Sequence, residues 1–383
     1  MANTLGVYNP IFYAQEALIA LEKALGMAAR VHLGYDEERR SFQRGETVNI
    51  RRPSTFTAQN APSAAQNVTT GTVAITLDQW KEVKFALTDK ELAFTGERII
   101  NDHIRPAAYA LADNIDQALA GLHVKIPWYY DLHATGEVKD ITGPHRILFD
   151  NKVPMSDIGN IHYMMDGTLQ EHMLNQAAFS QAQGAGDEGV NTQRRGSLGM
   201  KFGMECFSNQ NVASHTAGTC ADAVGAIDSG NGGYSAGVSL IHIDAVTDGG
   251  TWLAGDSFVI AGNTQRYVVT ATATFTGGEG DVSFYPALVA DAAEDAVVTG
   301  RVDSHSANLA FHRNAFALVT APLSEMGNEL GARIATVQDP ITGLSLRSRL
   351  YYIPDSSLVN VALDVLYGYT CLDPNLACRC YGA

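Results

Sequence analysis

The chain has 383 residues, a formal net charge of −15, 46% hydrophobic residues and 17% charged residues. The length allows two or three domains with a sizeable core, and so few charges, against roughly 25% in an ordinary soluble domain, suit a surface largely covered by partners. The acidic balance argues against a dedicated DNA-binding protein. Glu16, Glu22 and Lys23 interrupt the first apolar stretch, so no signal peptide is expected. No apolar run approaches the ~18 residues of a membrane span. Five cysteines, an odd number with no extracellular framework, predict reduced thiols in a cytoplasmic product.

Residues 10–29 read as a helix with Ala14, Ala17, Leu18, Leu21, Leu25 and Ala28 on one face. That narrow stripe packs on its own domain or on a neighbouring subunit. ETVNIR, TVAITLD and KEVKFAL (within 46–87) alternate with period two and read as strands. Between the first two lies a polar tip of roughly eighteen residues, a length that is usually either functional or disordered. The hairpin base is basic, with Arg39, Arg40, Arg44, Arg51 and Arg52 against Glu46. It meets acids on a neighbour or is a solvated face. Thr88-Asp-Lys-Glu91 reads as a capping box opening a short helix to about Gly96. Residues 97–121 read as a helix of roughly 35–40 Å, with Pro106 kinking it or marking a start.

From 122 to 233 the pattern mixes α and β. HRILFD (145–150) reads as a buried strand, 156–179 as a helix with Met164, Met165, Leu169, Met173 and Leu174 inward, and 181–196 as a loop. Residues 236–302 read as short strands between Gly/Asp turns, a small β-barrel or sandwich inserted into another domain. This block holds eight acids against Arg266 and Arg301. In the tail, IATVQDPITGLSLRSRLYY reads as a hairpin and NVALDVLYGYTCL as a final strand pair.

Catalytic templates fail. There is no P-loop, and no nucleophile elbow or G-x-G-x-x-G turn following a strand is read. No histidine pair has zincin spacing, and Cys371, Cys378 and Cys380 fit no standard zinc site. Neither metal nor cofactor is expected. Cys206, Ser208, Ser214 and His215 fall in one stretch (194–218) as a hydrolase would want. Yet Cys206 lies in an alternating strand context, and no carboxylate near His215 in sequence orients it.

The order of these segments resembles a tailed-bacteriophage major capsid protein of the Hong Kong 97 type, in the short-tailed-phage coat subgroup with an inserted β domain. NTLGVYNPIFYAQEALIAL resembles the N-terminal arm, RGETVNIRRP through TLDQWKEVKFALTDKELA the E-loop hairpin, 97–121 the spine helix, and RRGSLGMKFGMECFSNQNVASHTAG the axial-domain strand and loop. LAGDSFVIAG resembles the turn of the inserted domain, and NAFALVTAPL, GLSLRSRLYY and DVLYGYTCLDP the returning strands. The implied fold is α+β: arm (1–40), E-loop (41–87), peripheral-domain helices (88–125), axial domain (126–235), inserted β-barrel (236–302), axial return (303–333) and peripheral strands (334–383).

The resemblance implies a structural, non-enzymatic protein that self-assembles into an icosahedral shell around double-stranded DNA. The shell belongs to the virion and is assembled in the host cytoplasm. Implied partners are further copies of the chain, a portal protein, weakly held DNA and a decoration protein. A separate scaffolding protein is implied because no charged helical pro-segment precedes the arm. The tip (53–70) has no lysine, so the family's Lys–Asn cross-link is not expected. Implied contact residues are the five arginines above with Phe56 and Asn60, then Tyr8, Phe12 and Leu18 of the arm. Asn209, Asn211 and His215 belong to the axial loop, and Trp252, Asp256 and Arg266 to the inserted domain. The glycines of 194–218 are expected to let strands pack closely. The competing readings are an encapsulin-like compartment and a cysteine hydrolase using Cys206 and His215.

Overall fold

The computed structural model describes residues 10–33, 47–51, 58, 60–61, 65, 72–88, 103–181, 187–220, 224–230, 232–301, 304–325, 332–339, 343–353 and 358–382. The chain divides into two units, Met1–Asp116 with Phe316–Leu372, and Gln117–Ala315 with Asp373–Ala383.

The first unit is organised by one long strand, Leu358–Cys371. It is a single strand, where the sequence suggested a pair. Gly368 within the apolar run reads as a break, but here it serves a close approach. A Cβ at this position would lie 2.3 Å from the Thr76 carbonyl oxygen. The strand pairs antiparallel with Ser345–Ile353, with Gln79–Thr88 and, through its C-terminal half, with Phe316–Ala321. The expected tail hairpin is present: Arg333–Gln338 pairs with Ser345–Ile353. Its turn closes through the Gly343 N–H to the Asp339 carbonyl at 3.0 Å, with Gly343 at φ +72°.

The helix Pro10–Ala24 lies against these two hairpin strands, burying Ala14, Ala17, Leu18 and Leu21. Past its end, the Asp116 carboxylate accepts from the Gly26, Met27 and Ala28 N–H groups at 2.7–3.3 Å. The basic-based hairpin forms a ladder of Thr47–Arg51 with Thr72–Thr76. Its Val48, Ile50 and Ile75 pack with Leu77 against Ala317, Val319 and Leu372. The third predicted strand belongs to the large sheet, where Asp364 takes a bidentate bond from Arg347 (3.1 and 2.5 Å) and one from the Trp80 indole (3.1 Å). Thr88 ends that strand; the rest of the capping-box helix lies outside the described residues. The long helix is described over Arg105–Ala120, and Pro106 sits in its first turn, where its missing N–H costs nothing.

The second unit holds a six-stranded sheet in the order Tyr129–Asp131, Ala377–Tyr381, Asn308–His312, Ile161–Met165, Met204–Ser208, Gly199–Lys201. Ala377–Tyr381, at the end of the segment expected to be peripheral strands, therefore pairs in this unit, parallel to Tyr129–Asp131. Three readings of local structure are corrected here. Residues 145–150 are not a strand but the end of the helix Lys139–Asp150. Gly143 and Pro144 hide it in the sequence. Gly143 is required because a Cβ would enter the Tyr130 ring at 2.2 Å. Pro144 cannot donate to the Asp140 carbonyl, and the Tyr163 hydroxyl donates there instead at 3.2 Å.

Second, residues 156–179 are not one helix. Ile161–Met165 is a central strand buried on both faces, followed by helices Gly167–Asn175 and Ala177–Ser180. A strand buried on both faces shows no alternation. The break is marked by Asp166, whose carboxylate caps the next helix through the Leu169 N–H at 2.8 Å. Third, 187–195 is helical (Asp187–Arg195) rather than loop. The glycines of the 194–218 stretch divide: Gly218 serves the close packing expected, since a Cβ there would lie 2.1 Å from the Thr251 carbonyl oxygen, and three others serve turns. Gly196, Gly199 and Gly203 have φ of +63°, +62° and +79° with open space around their Cβ positions. Phe202-Gly203, both at positive φ, form the two-residue turn joining Gly199–Lys201 to Met204–Ser208.

The β block is a closed six-stranded barrel in the order Leu240–Asp244, Gly280–Tyr285, Arg266–Val269, Ser257–Ile260, Val297–Arg301, Val224–Ile227. One strand, Val224–Ile227, comes from before residue 236. Its VGAI sequence is too short and glycine-interrupted to read as a strand by itself. The barrel core is aromatic: the Phe258 ring centroid lies 5.5 Å from each of Trp252, Tyr267 and Phe284.

Candidate functional site

The residues expected at subunit contacts fall into three groups. Tyr8, Arg39, Arg40, Arg44, Arg52 and Phe56 lie outside the described residues. Arg51 ends the hairpin strand Thr47–Arg51, and Asn60 is exposed at the tip. On the arm helix, Leu18 is buried within its own unit, while Phe12 is exposed together with Ile11 and Ile19. The helix thus carries a second, exposed apolar stripe. Asn209 and Asn211 form a half-buried turn. The Asn211 N–H donates to Asn209 Oδ1 at 2.9 Å, and Gln117 donates to Asn211 Oδ1 at 3.2 Å.

Of the remaining candidates, His215, Trp252 and Asp256 are buried and Arg266 is half-buried. Trp252 is inside the barrel core, its indole N–H donating to the Cys220 carbonyl at 2.9 Å. The other three lie where the barrel meets the six-stranded sheet. His215 Nε2 is 2.7 Å from Asp256 Oδ1, and both side chains are buried. Asp256 Oδ2 accepts from the Leu253 and Gly218 N–H groups at 2.8 and 3.1 Å. The carboxylate that the sequence did not show beside His215 is therefore supplied from 41 residues away. Gly255, at φ +99°, lets the chain pass: a Cβ there would lie 2.9 Å from the His215 ring.

Around this pair the junction is aromatic and cationic. The His215 ring lies 5.6 Å from His123 and 5.3 Å from His305, and His305 lies 4.0 Å from Tyr381. Tyr381 stacks on Tyr129 at 4.9 Å, and its hydroxyl meets Ser257 Oγ of the barrel at 2.8 Å. The Arg266 guanidinium covers the Tyr129 ring at 3.9 Å and donates to the Tyr129 carbonyl. Arg379 is fully buried and donates to the Tyr381 hydroxyl. His123 Nδ1 lies 3.0 Å from the Ala120 carbonyl, so it carries the proton. Burial, with the Arg379 charge next, brings the His123 pKa down to about 3. Three histidines, one carboxylate and two arginines thus lie where the barrel meets the sheet.

Cys206 sits inside the strand Met204–Ser208 in an apolar cluster, and burial pushes its thiol up to about 12; a thiol so protonated is inert. Gly233-Tyr-Ser-Ala-Gly237 has the letters of a nucleophile elbow. Its Tyr234 makes an isolated bridge to Ala292 and the segment ends in a turn, with no strand-to-helix bend. Gly184-Ala-Gly-Asp-Glu-Gly189 has dinucleotide-loop letters, but the element before it is the helix Ala177–Ser180 and not a strand. All five cysteines are free and buried. Among the described residues no helix is long and apolar enough to cross a membrane.

No protein-family model and no curated protein matches the chain. Among solved structures, one from Mycobacterium phage Che8 is similar at 14% identity and TM-score 0.50, covering 94% of this chain and 92% of that one. A capsid structure of the cyanophage P-SCSP1u is similar at 10% identity and TM-score 0.45 over 88% and 84%. The mature capsid of bacteriophage PhiM1 is similar at 11% identity and TM-score 0.43 over 89% and 83%. At 14% identity, the Che8 likeness over nearly the whole of both chains is one of fold.

Proposed function

We propose that this chain is the major capsid protein of a tailed bacteriophage, of the Hong Kong 97 type with an inserted β-barrel. Copies of it assemble into an icosahedral shell around double-stranded DNA. The observation that carries the reading is the near full-length fold likeness to the Che8 phage structure. The element order agrees with it: arm helix, long polar-tipped hairpin, spine helix, mixed sheet, barrel and returning strands.

The chemistry of the surface supports self-association. A closed shell needs many weak, self-complementary contacts. The arm helix offers Ile11, Phe12 and Ile19, and the sheet offers an exposed Trp80. The basic hairpin base would meet acids of a neighbouring copy, and salt screens such pairs over about 8–10 Å. In this reading the chain is structural rather than enzymatic. Its partners are its own copies, a scaffolding protein, the portal, a decoration protein and loosely held DNA, and its place is the virion, after assembly in host cytoplasm. The test is co-expression with and without the scaffolding protein, with electron microscopy of the pelletable fraction. Closed icosahedral particles are expected. A monodisperse monomer at every salt concentration would overturn the proposal, and enzyme cargo in place of DNA would favour the encapsulin-like alternative.

A further inference from the structure

One cluster of metal-ligating side chains lies outside the junction, at one end of the barrel. His242 is on the strand Leu240–Asp244, Glu279 immediately precedes the strand Gly280–Tyr285, and Asp228 immediately follows Val224–Ile227. These strands are neighbours in the barrel order. The register puts His242 opposite Asp281, and the Asp228 N–H donates to the His242 carbonyl at 3.1 Å. One donor atom from each of Asp228, His242 and Glu279 lies within 4.8 Å of the others.

The imidazole is oriented for ligation. Its Nδ1 is 2.7 Å from Asp281 Oδ1, so Nδ1 carries the proton and the Nε2 lone pair faces Glu279 Oε2, 3.8 Å away. A carboxylate behind a histidine, fixing its tautomer and ring plane, is the usual outer partner of a metal-bound imidazole. Asp228 is held in place by its Oδ1, which accepts from the Gly230 N–H at 2.9 Å. Donors on one tetrahedral ion stand ~3.3 Å apart for bonds of ~2.0–2.1 Å. Closing the set therefore asks for a small rotation of Glu279, which is more exposed than His242.

The charge points the same way. Among the described residues no lysine or arginine pairs with Asp228, Glu279 or Asp281, so three carboxylates surround one imidazole without a fixed cation. We propose that Asp228, His242 and Glu279 bind a divalent first-row transition-metal ion, with Asp281 as the positioning residue behind His242. Mixed nitrogen and oxygen donors suit Zn²⁺ or Mn²⁺ better than Ca²⁺ or Mg²⁺, which favour all-oxygen shells. The bound ion cross-links three adjacent barrel strands at one end. This site stands on the barrel alone and is independent of the capsid reading.

The test uses the full chain, stripped with chelator and titrated with Mn²⁺ (electron paramagnetic resonance) and with Zn²⁺ (calorimetry). Mn²⁺ is included because thiols compete for Zn²⁺. One saturable site per chain is expected. His242→Gln and Glu279→Gln are each expected to weaken it at least ~10-fold, and Asp281→Asn by ~10-fold. Zn²⁺ is expected to raise the melting temperature of the parent chain and leave that of His242→Gln unchanged. All three changes are at partly or fully exposed side chains, so circular dichroism without metal is expected to stay the same. If one variant fails that control, the other two decide. Mn²⁺ and Zn²⁺ curves indistinguishable between the parent and the variants would overturn the proposal.

Discussion

His215 Nε2 and Asp256 Oδ1 stand 2.7 Å apart in a buried junction, and the same carboxylate takes two backbone N–H groups. Removing it strands three donors at once. Asp256→Ala is expected to cost about 3–5 kcal/mol, and Asp256→Asn, which keeps an acceptor, about 1–3 kcal/mol. Urea unfolding of both variants checks this. Equal losses would show that shape, and not the carboxylate, holds the junction.

His123 gives the junction a pH dependence with a definite sign. Its folded pKa is about 3 against 6.5 for the free side chain. Between those values the unfolded chain binds a proton that the folded chain refuses. Stability is therefore full above pH 6.5 and falls as pH drops toward 3, by up to about 1.4 kcal/mol per unit from this one group. His123→Asn removes that slope. Measuring unfolding free energy from pH 7 to pH 4 decides; parallel curves for parent and variant would show that His123 is not the titrating group.

Gly368 is where the hairpin base touches the large sheet. A Cβ at 368 would lie 2.3 Å from the Thr76 carbonyl oxygen, a backbone atom that cannot swing aside. Gly368→Ala is expected to lift the Thr72–Thr76 strand and cost about 1–3 kcal/mol. Hydrogen exchange at Val73 and Ile75 reads it out. Unchanged protection would place the flexibility in the sheet instead.

The barrel takes its closing strand, Val224–Ile227, from before residue 236. A fragment spanning 236–302 is expected to be unfolded, and one spanning 220–303 to give a cooperative β-type melt. Circular dichroism of both separates the outcomes. A folded shorter fragment would mean that the barrel is stable while open.

On the capsid reading, deleting 53–70 is expected to leave a soluble fold that forms no shells. Arg51→Glu with Arg52→Glu is expected to slow assembly more than it lowers the melting temperature, and increasingly so at low salt. Light scattering and calorimetry on the same preparations give both quantities. A lower melting temperature with unchanged assembly would make the arginines intramolecular.

What the sequence disclosed depended on where each element stands. The arm helix showed its buried face as a stripe from Ala14 to Leu21, and the tail hairpin showed its Asp-Pro-x-x-Gly turn. The hairpin is marked by its turn residues, and the helix has an exposed face, so its periodicity survives. Ile161–Met165 has none, because both its faces are covered. The helix Lys139–Asp150 was hidden by Gly143 and Pro144, whose penalties are met by Tyr130 and Tyr163 from other elements. The His215–Asp256 pair and the Asp228, His242 and Glu279 set join residues far apart in sequence. No local spacing could reveal them, since only the tertiary fold brings them together.

The Leu358–Cys371 strand has a mechanical consequence. The chain leaving the hairpin enters it through Gln79–Thr88, which runs alongside from Gln79 opposite Tyr367 to Thr88 opposite Leu358. Ladder bonds lie across the strand direction. A tug on the hairpin along that axis therefore strains the whole ladder in shear, all rungs sharing the load, and does not peel them one after another. The polar tip can be pulled hard while its root stays fixed, which is the behaviour wanted of a strap.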